Sequence, residues 1–235
     1  MRRMHTANSS FPDLLMAWGL PALSALSLAW ALTRRPWQLL RRDALQHAWL
    51  GGLVLLALLW TARATLTGGL VIQLMGATLA VTLFGLPLAL VSMLIVDGIS
   101  LLGLAYLAGQ GWAQVEWSTF WPRFVWLGML PALLSAGLQG AMRHLLPRHP
   151  FIFILGHGYF AAGLAALGAG ALQALWRFEI AGGGGGALSL ADTLTGLLVI
   201  AFGEAFLTGM LVAIFVAYKP QWIVSFRDDE YLTGK

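Results

Sequence analysis

Residues 70–109 read LVIQLMGATLAVTLFGLPLALVSMLIVDGISLLGLAYLAG, and Asp97 is the only charged side chain in the run. A helix needs roughly 20 apolar residues to cross the hydrocarbon core of a bilayer, so this run is too long for one crossing. Phe84-Gly85-Leu86-Pro87 interrupts it. Glycine reaches backbone angles closed to other residues, and proline lacks the N–H that a helix interior needs. The run therefore reads as two embedded segments joined by a single turn: a short, Gly-punctuated Leu70–Leu83 and a full-length Pro87–Gly109.

The same texture continues outward to Leu14–Leu32, Ala48–Ala64, Phe124–Met142, Phe151–Leu175 and Leu190–Tyr218, making about seven spans. Charged residues make up 10% of the chain and hydrophobic ones 59%. A soluble domain carries about 25% charged residues to hold its hydration shell. This chain must put most of its surface against lipid, where only helices and closed barrels satisfy every backbone polar group. The apolar runs lack the alternation of barrel strands. The expected fold class is an all-α polytopic transmembrane bundle, one integral membrane domain over residues 1–235. Its first partner is membrane lipid.

The basic residues suggest an orientation. Arg34, Arg35, Arg41, Arg42, Arg143, Arg148, Lys219, Arg227 and Lys235 fall on one side of a seven-span chain. Arg2, Arg3, Arg63, Arg123 and Arg177 fall on the other. Loops rich in Lys and Arg stay in the cytoplasm, so the N-terminus is expected outside and the C-terminus inside. Segment 1–13 is then extracytoplasmic and 219–235 a cytoplasmic tail. Arg2-Arg3 ahead of an apolar run also resembles a signal peptide, but Leu14–Leu32 is long for one and four arginines anchor it from behind. The expected location is a bacterial-type inner (plasma) membrane.

Several classes drop out. The net charge of +4 is spread over short loops and is no nucleic-acid patch. The absence of cysteine removes disulfides, thiolate metal sites and cysteine nucleophiles. No GxxxxGK[ST], HExxH or GxSxG occurs, so no enzyme is read here. Trp112, Trp117, Trp121 and Trp126 read as an interfacial aromatic belt, and Gly182–Gly186 as a flexible outer linker.

Ionisable groups at membrane depth are expensive and mark function by default. Asp97 and Glu204 lie near the middle of their spans, and His157 about a third of the way along its span from the inside. Gln73 and Gln139 lie near span ends. The structural alternative for the carboxyls is helix-to-helix hydrogen bonding. For His157, between Gly156 and Gly158, it is simple close packing.

Met4-His5-Thr6-Ala7-Asn8, followed by Phe11-Pro12-Asp13, resembles the N-terminal segment of the CbiM/NikM family. These are the substrate-binding membrane subunits of energy-coupling-factor ABC transporters for cobalt and nickel. Thr67-Gly68-Gly69-Leu70-Val71-Ile72-Gln73-Leu74-Met75-Gly76, with Gly85-Leu86-Pro87 and Asp97-Gly98 behind it, is similar to a second family stretch. Gly203-Glu204-Ala205-Phe206-Leu207-Thr208-Gly209 ahead of Tyr218-Lys219-Pro220 is similar to a third. The stretches keep the family's order and span nearly the whole chain. A free amine, the next amide nitrogen and an imidazole form fused chelate rings suited to Ni(II) and, less closely, Co(II). That chelate requires a mature N-terminus at Met4, not Met1. The family's ligand histidine in the second stretch is Gln73 here.

The resemblance implies transition-metal uptake, with Met4 and His5 as metal ligands and Gln73 lining the pocket; Asp97, His157 and Glu204, as ionisable groups at depth, are also expected to line it. No prosthetic group is implied. The transported ligand would be Ni2+ or Co2+, and the partners a transmembrane coupling subunit and cytoplasmic ABC ATPases. A proton-coupled secondary transporter using Asp97 and Glu204, and a non-transporting scaffold or assembly protein, are the alternatives.

Overall fold

The structure is a computed structural model that describes residues 14–65, 71–180 and 189–226. Six helices are long and apolar enough to cross a membrane: α1 (Leu15–Thr33), α2 (Asp43–Thr61), α3 (Ala77–Leu107), α4 (Trp117–Leu145), α5 (Pro150–Ile180) and α6 (Leu190–Tyr218). They form an all-α bundle of the multi-pass membrane kind. Large apolar side chains such as Trp18, Leu26, Val54, Leu58, Phe202 and Phe206 lie on its outside, where lipid would cover them.

The six helices differ from the seven expected segments at α3, which folds back on itself. Its register against α4 gives the direction. Thr78 hydrogen-bonds Ser135, and Gln139 donates to Thr82 Oγ1, so this part runs parallel to α4. A Cβ on Gly128 would touch Met93, and Arg123 bonds Asp97, so the later part runs the other way. Gly76 and Gly103 also both abut the end of α2, at Leu56 and Thr61 respectively. A straight helix would hold those two glycines about 40 Å apart at 1.5 Å per residue.

The reversal is at Gly85, whose φ of 74° and ψ of 160° lie in a region essentially reserved for glycine. Pro87 follows in the first turn of the returning helix, where its missing N–H costs no hydrogen bond. The carbonyls orphaned at the end of the descending half are met by the chain's last described residues. Val224 N donates to Leu83 O at 2.8 Å, and Ser225 Oγ to Thr82 O at 2.6 Å. No atom lies within 4 Å of a Cβ placed on Gly85, so Gly85→Ala would incur only the backbone cost. That substitution is expected to destabilise the fold by about 1–3 kcal/mol, read as a lower Tm in detergent.

The descending half begins later than the sequence suggests. Val71-Ile72 pairs antiparallel with Ala64-Thr65 as a two-stranded ribbon, and helix starts only at Ala77. β-branched Val71 and Ile72 suit the ribbon. The irregular backbone between ribbon and helix is tolerable at depth because surrounding helices bury it.

Helices α5 and α6 approach closely through small residues. A Cβ on Gly158 would stand 3.2 Å from the Gly209 Cα, and one on Gly163 would stand 3.3 Å from the Ala201 carbonyl oxygen. Helix α6 opens on a capping box: Asp192 N donates to Ser189 Oγ at 3.1 Å, and Ser189 N to Asp192 Oδ2 at 3.3 Å.

Candidate functional site

The break before α3 leaves backbone N–H groups without helical partners at the centre of the bundle. Glu204, 1% exposed on α6, meets them. Its carboxyl oxygens accept from Met75 N and, at 3.1 and 3.2 Å, from Gly76 N. The partial positive charge of a helix N-terminus makes this a favourable seat for a carboxylate. Trp60 Nε1 donates to the Met75 carbonyl at 2.7 Å, and Gln73 Nε2 to the Trp60 carbonyl at 3.3 Å. Residues 73–76 are thus pinned from α2 and α6 together. The Gln73–Gly76 and Gly203–Gly209 stretches, far apart in sequence, are in contact here.

A second polar knot ties α3 to α4. Arg123 Nε bonds Asp97 Oδ1 at 2.9 Å, and Arg123 Nη2 donates to Ser100 Oγ at 2.8 Å. Asp97 is fully buried, and its Oδ2 has no hydrogen-bond partner among the described residues. The Arg123 guanidinium also lies 6.0 Å from the centre of the Trp60 ring.

His157 lies toward the other end of the bundle. Gln139 Nε2 donates to its carbonyl at 3.2 Å, and its ring packs 4.8 Å from that of Phe153. It borders a small cleft of about 60 Å³ together with Arg143 and Arg148.

The large cavity, about 900 Å³, lies at the end of the bundle where Arg123 lies. Residues of five helices and the ribbon wall it, from Met16 on α1 to Ile200 on α6. Gln73 and Met75 contribute from the irregular segment. Leu104, Trp126 and Leu197 supply apolar surface, and Gln110, Gln173 and Thr193 supply neutral polar groups. The charged residues in the wall are Arg63, Arg123, Arg177 and Glu116. The Arg123–Asp97 pair is the one salt bridge among the described residues, so Arg63 and Arg177 face no carboxylate partner there.

Of the residues proposed from sequence as pocket-lining, Gln73 borders this cavity. Asp97 and Glu204 lie behind the wall, each already bonded to protein, and His157 borders the separate cleft. Met4 and His5 lie outside the described residues, as do Gly182–Gly186 and the end of the tail. Among the described residues, no three His, Cys, Asp or Glu side chains gather as a metal site. Sequence reasoning missed Arg63, Arg123 and Arg177 as cavity residues. The signal was available, since all three stand on the side the orientation rule expects to be poor in arginine.

No protein-family profile, curated protein or solved structure matches this chain.

Proposed function

We propose that this protein is the solute-binding membrane subunit of an uptake system of the energy-coupling-factor ABC type, resembling the CbiM/NikM family, with a transition metal such as nickel or cobalt as its cargo. The observation that carries the reading is the half-helix at membrane depth. Discontinuous helices whose irregular ends line a cavity are the device by which transporters build solute sites near the middle of a bilayer. Here residues 73–76 form such an end, and Gln73 and Met75 open onto the large cavity. Counting the two halves of α3 separately makes seven embedded segments, and the basic loops support a chain with its N-terminus outside and C-terminus inside a bacterial-type inner membrane. The cavity then faces outward, the side of solute capture.

Met16 borders the cavity, and in this reading Met4 and His5 of the segment before it supply the metal ligands. The basic end, with Arg34, Arg35, Arg41 and Arg42, would face the coupling subunit and its ATPases. A proton-coupled transporter is the weaker alternative, because the two carboxyls it would need are both engaged in holding helices together. Deleting Met4-His5 is expected to reduce nickel or cobalt accumulation in cells severalfold, measured by elemental analysis. Unchanged accumulation would remove His5 from the mechanism.

A further inference from the structure

We propose that the large cavity takes its cargo as an organic polycarboxylate, the free acid anion or its metal chelate, and not as a bare metal cation. This rests on the reading of the cavity as a solute-uptake site; the chelate form carries the metal of that reading, whereas the free-anion form replaces the metal as cargo.

The wall's charge decides it. Asp97 behind the wall offsets Arg123, and Arg63 and Arg177 are opposed by Glu116, so the site keeps one net positive charge. A naked divalent cation entering it meets repulsion. It would find neither thiolate nor a cluster of imidazoles and carboxylates among the described residues. Guanidinium groups present planar donor forks that match carboxylates in pairs. Arg123 is held in place by Asp97 and Ser100, which pre-organises it, while Arg63 and Arg177 have no partner among the described residues and are exposed.

Size argues the same way. A cavity of about 900 Å³ is at the upper end of the range for small organic ligands, far beyond what one ion needs. Neutral hydrogen-bonding side chains such as Gln73, Gln110, Gln173 and Thr193 would meet hydroxyl and carboxyl oxygens that the arginines leave unpaired. The arginines also run against the charge bias that orients membrane proteins, a cost that a binding role explains.

The test is calorimetric titration of the full chain in lipid nanodiscs with citrate, with the nickel–citrate complex and with nickel chloride. We expect citrate or nickel–citrate to bind, with affinity falling as salt rises. Arg63→Gln combined with Arg177→Gln should weaken that binding at least tenfold. Both side chains are exposed, so the fold should survive, and Arg41→Gln at the opposite end should bind as wild type does. Tighter binding of nickel–citrate identifies the chelate as cargo, and tighter binding of citrate the free anion; either supports the inference. Failure of both citrate forms to bind, or equal binding by the double variant, overturns it. Nickel chloride bound alone, with no citrate binding, would overturn the inference and leave the metal-uptake reading standing. Citrate binding combined with metal accumulation indifferent to Met4-His5 would leave the inference standing and remove the histidine-based reading.

Discussion

Glu204→Ala is expected to cost roughly 2–6 kcal/mol of stability, taking about 1–3 kcal/mol for each of the two buried backbone donors left without an acceptor. The loss is large because both donors are deeply buried. Glu204 is 1% exposed, the Trp60 indole beside it can only donate, and the Gln73 amide nitrogen is turned to the Trp60 carbonyl. Proteins hold a margin of about 5–15 kcal/mol, so a large part of it would disappear. Glu204→Gln keeps one carbonyl oxygen in place and should lose distinctly less. Thermal unfolding in detergent decides the matter. An alanine variant that melts with the wild type would show that the carboxyl does not hold the half-helix.

The consequence reaches the site through a short path. Residues 73–76 are both the clamp's target and part of the cavity wall, so loosening the clamp loosens the wall. An intramembrane glutamate seen only in sequence suggests a proton carrier or a ligand. In the fold it replaces the hydrogen bonds that a broken helix cannot make for itself.

Local rules made the bundle legible. Long apolar runs, few charges and the Gly85-Pro87 signal were enough to foresee helices and a turn inside residues 70–109. The ribbon at Val71-Ile72 was not foreseen, because a short apolar stretch beside a helical run carries no periodicity to separate the two. The site was less legible than the fold. Asp97 and Glu204 stood out as costly groups at depth, yet their partners are Arg123 and two backbone amides, and sequence spacing encodes neither pairing. Arg63 and Arg177 entered the sequence reading only as charges on the arginine-poor side. Only the closure of five helices and the ribbon around one space puts both in the same wall.

Arg123→Ala is expected to cost about 3–5 kcal/mol, the usual penalty for leaving one member of a buried ion pair alone. Asp97 has no exposure, and its second oxygen already lacks a partner among the described residues, so its charge would have no compensation in the bundle. The opposite truncation should be milder. In Asp97→Asn the guanidinium keeps Ser100 and can turn toward the cavity it borders. Combining Asp97→Asn with Arg123→Ala should therefore be more stable than Arg123→Ala alone, because the stranded charge is gone. A double-mutant cycle on Tm in nanodiscs measures the coupling. Strict additivity of the two single changes would show that the pair contributes nothing as a pair. The same variants separate structure from transport. If Asp97 carried protons, Asp97→Asn would abolish uptake with little change in Tm. If it positions Arg123, the asparagine variant should retain uptake in proportion to the arginine geometry it preserves, whereas Arg123→Ala should lose both stability and solute binding.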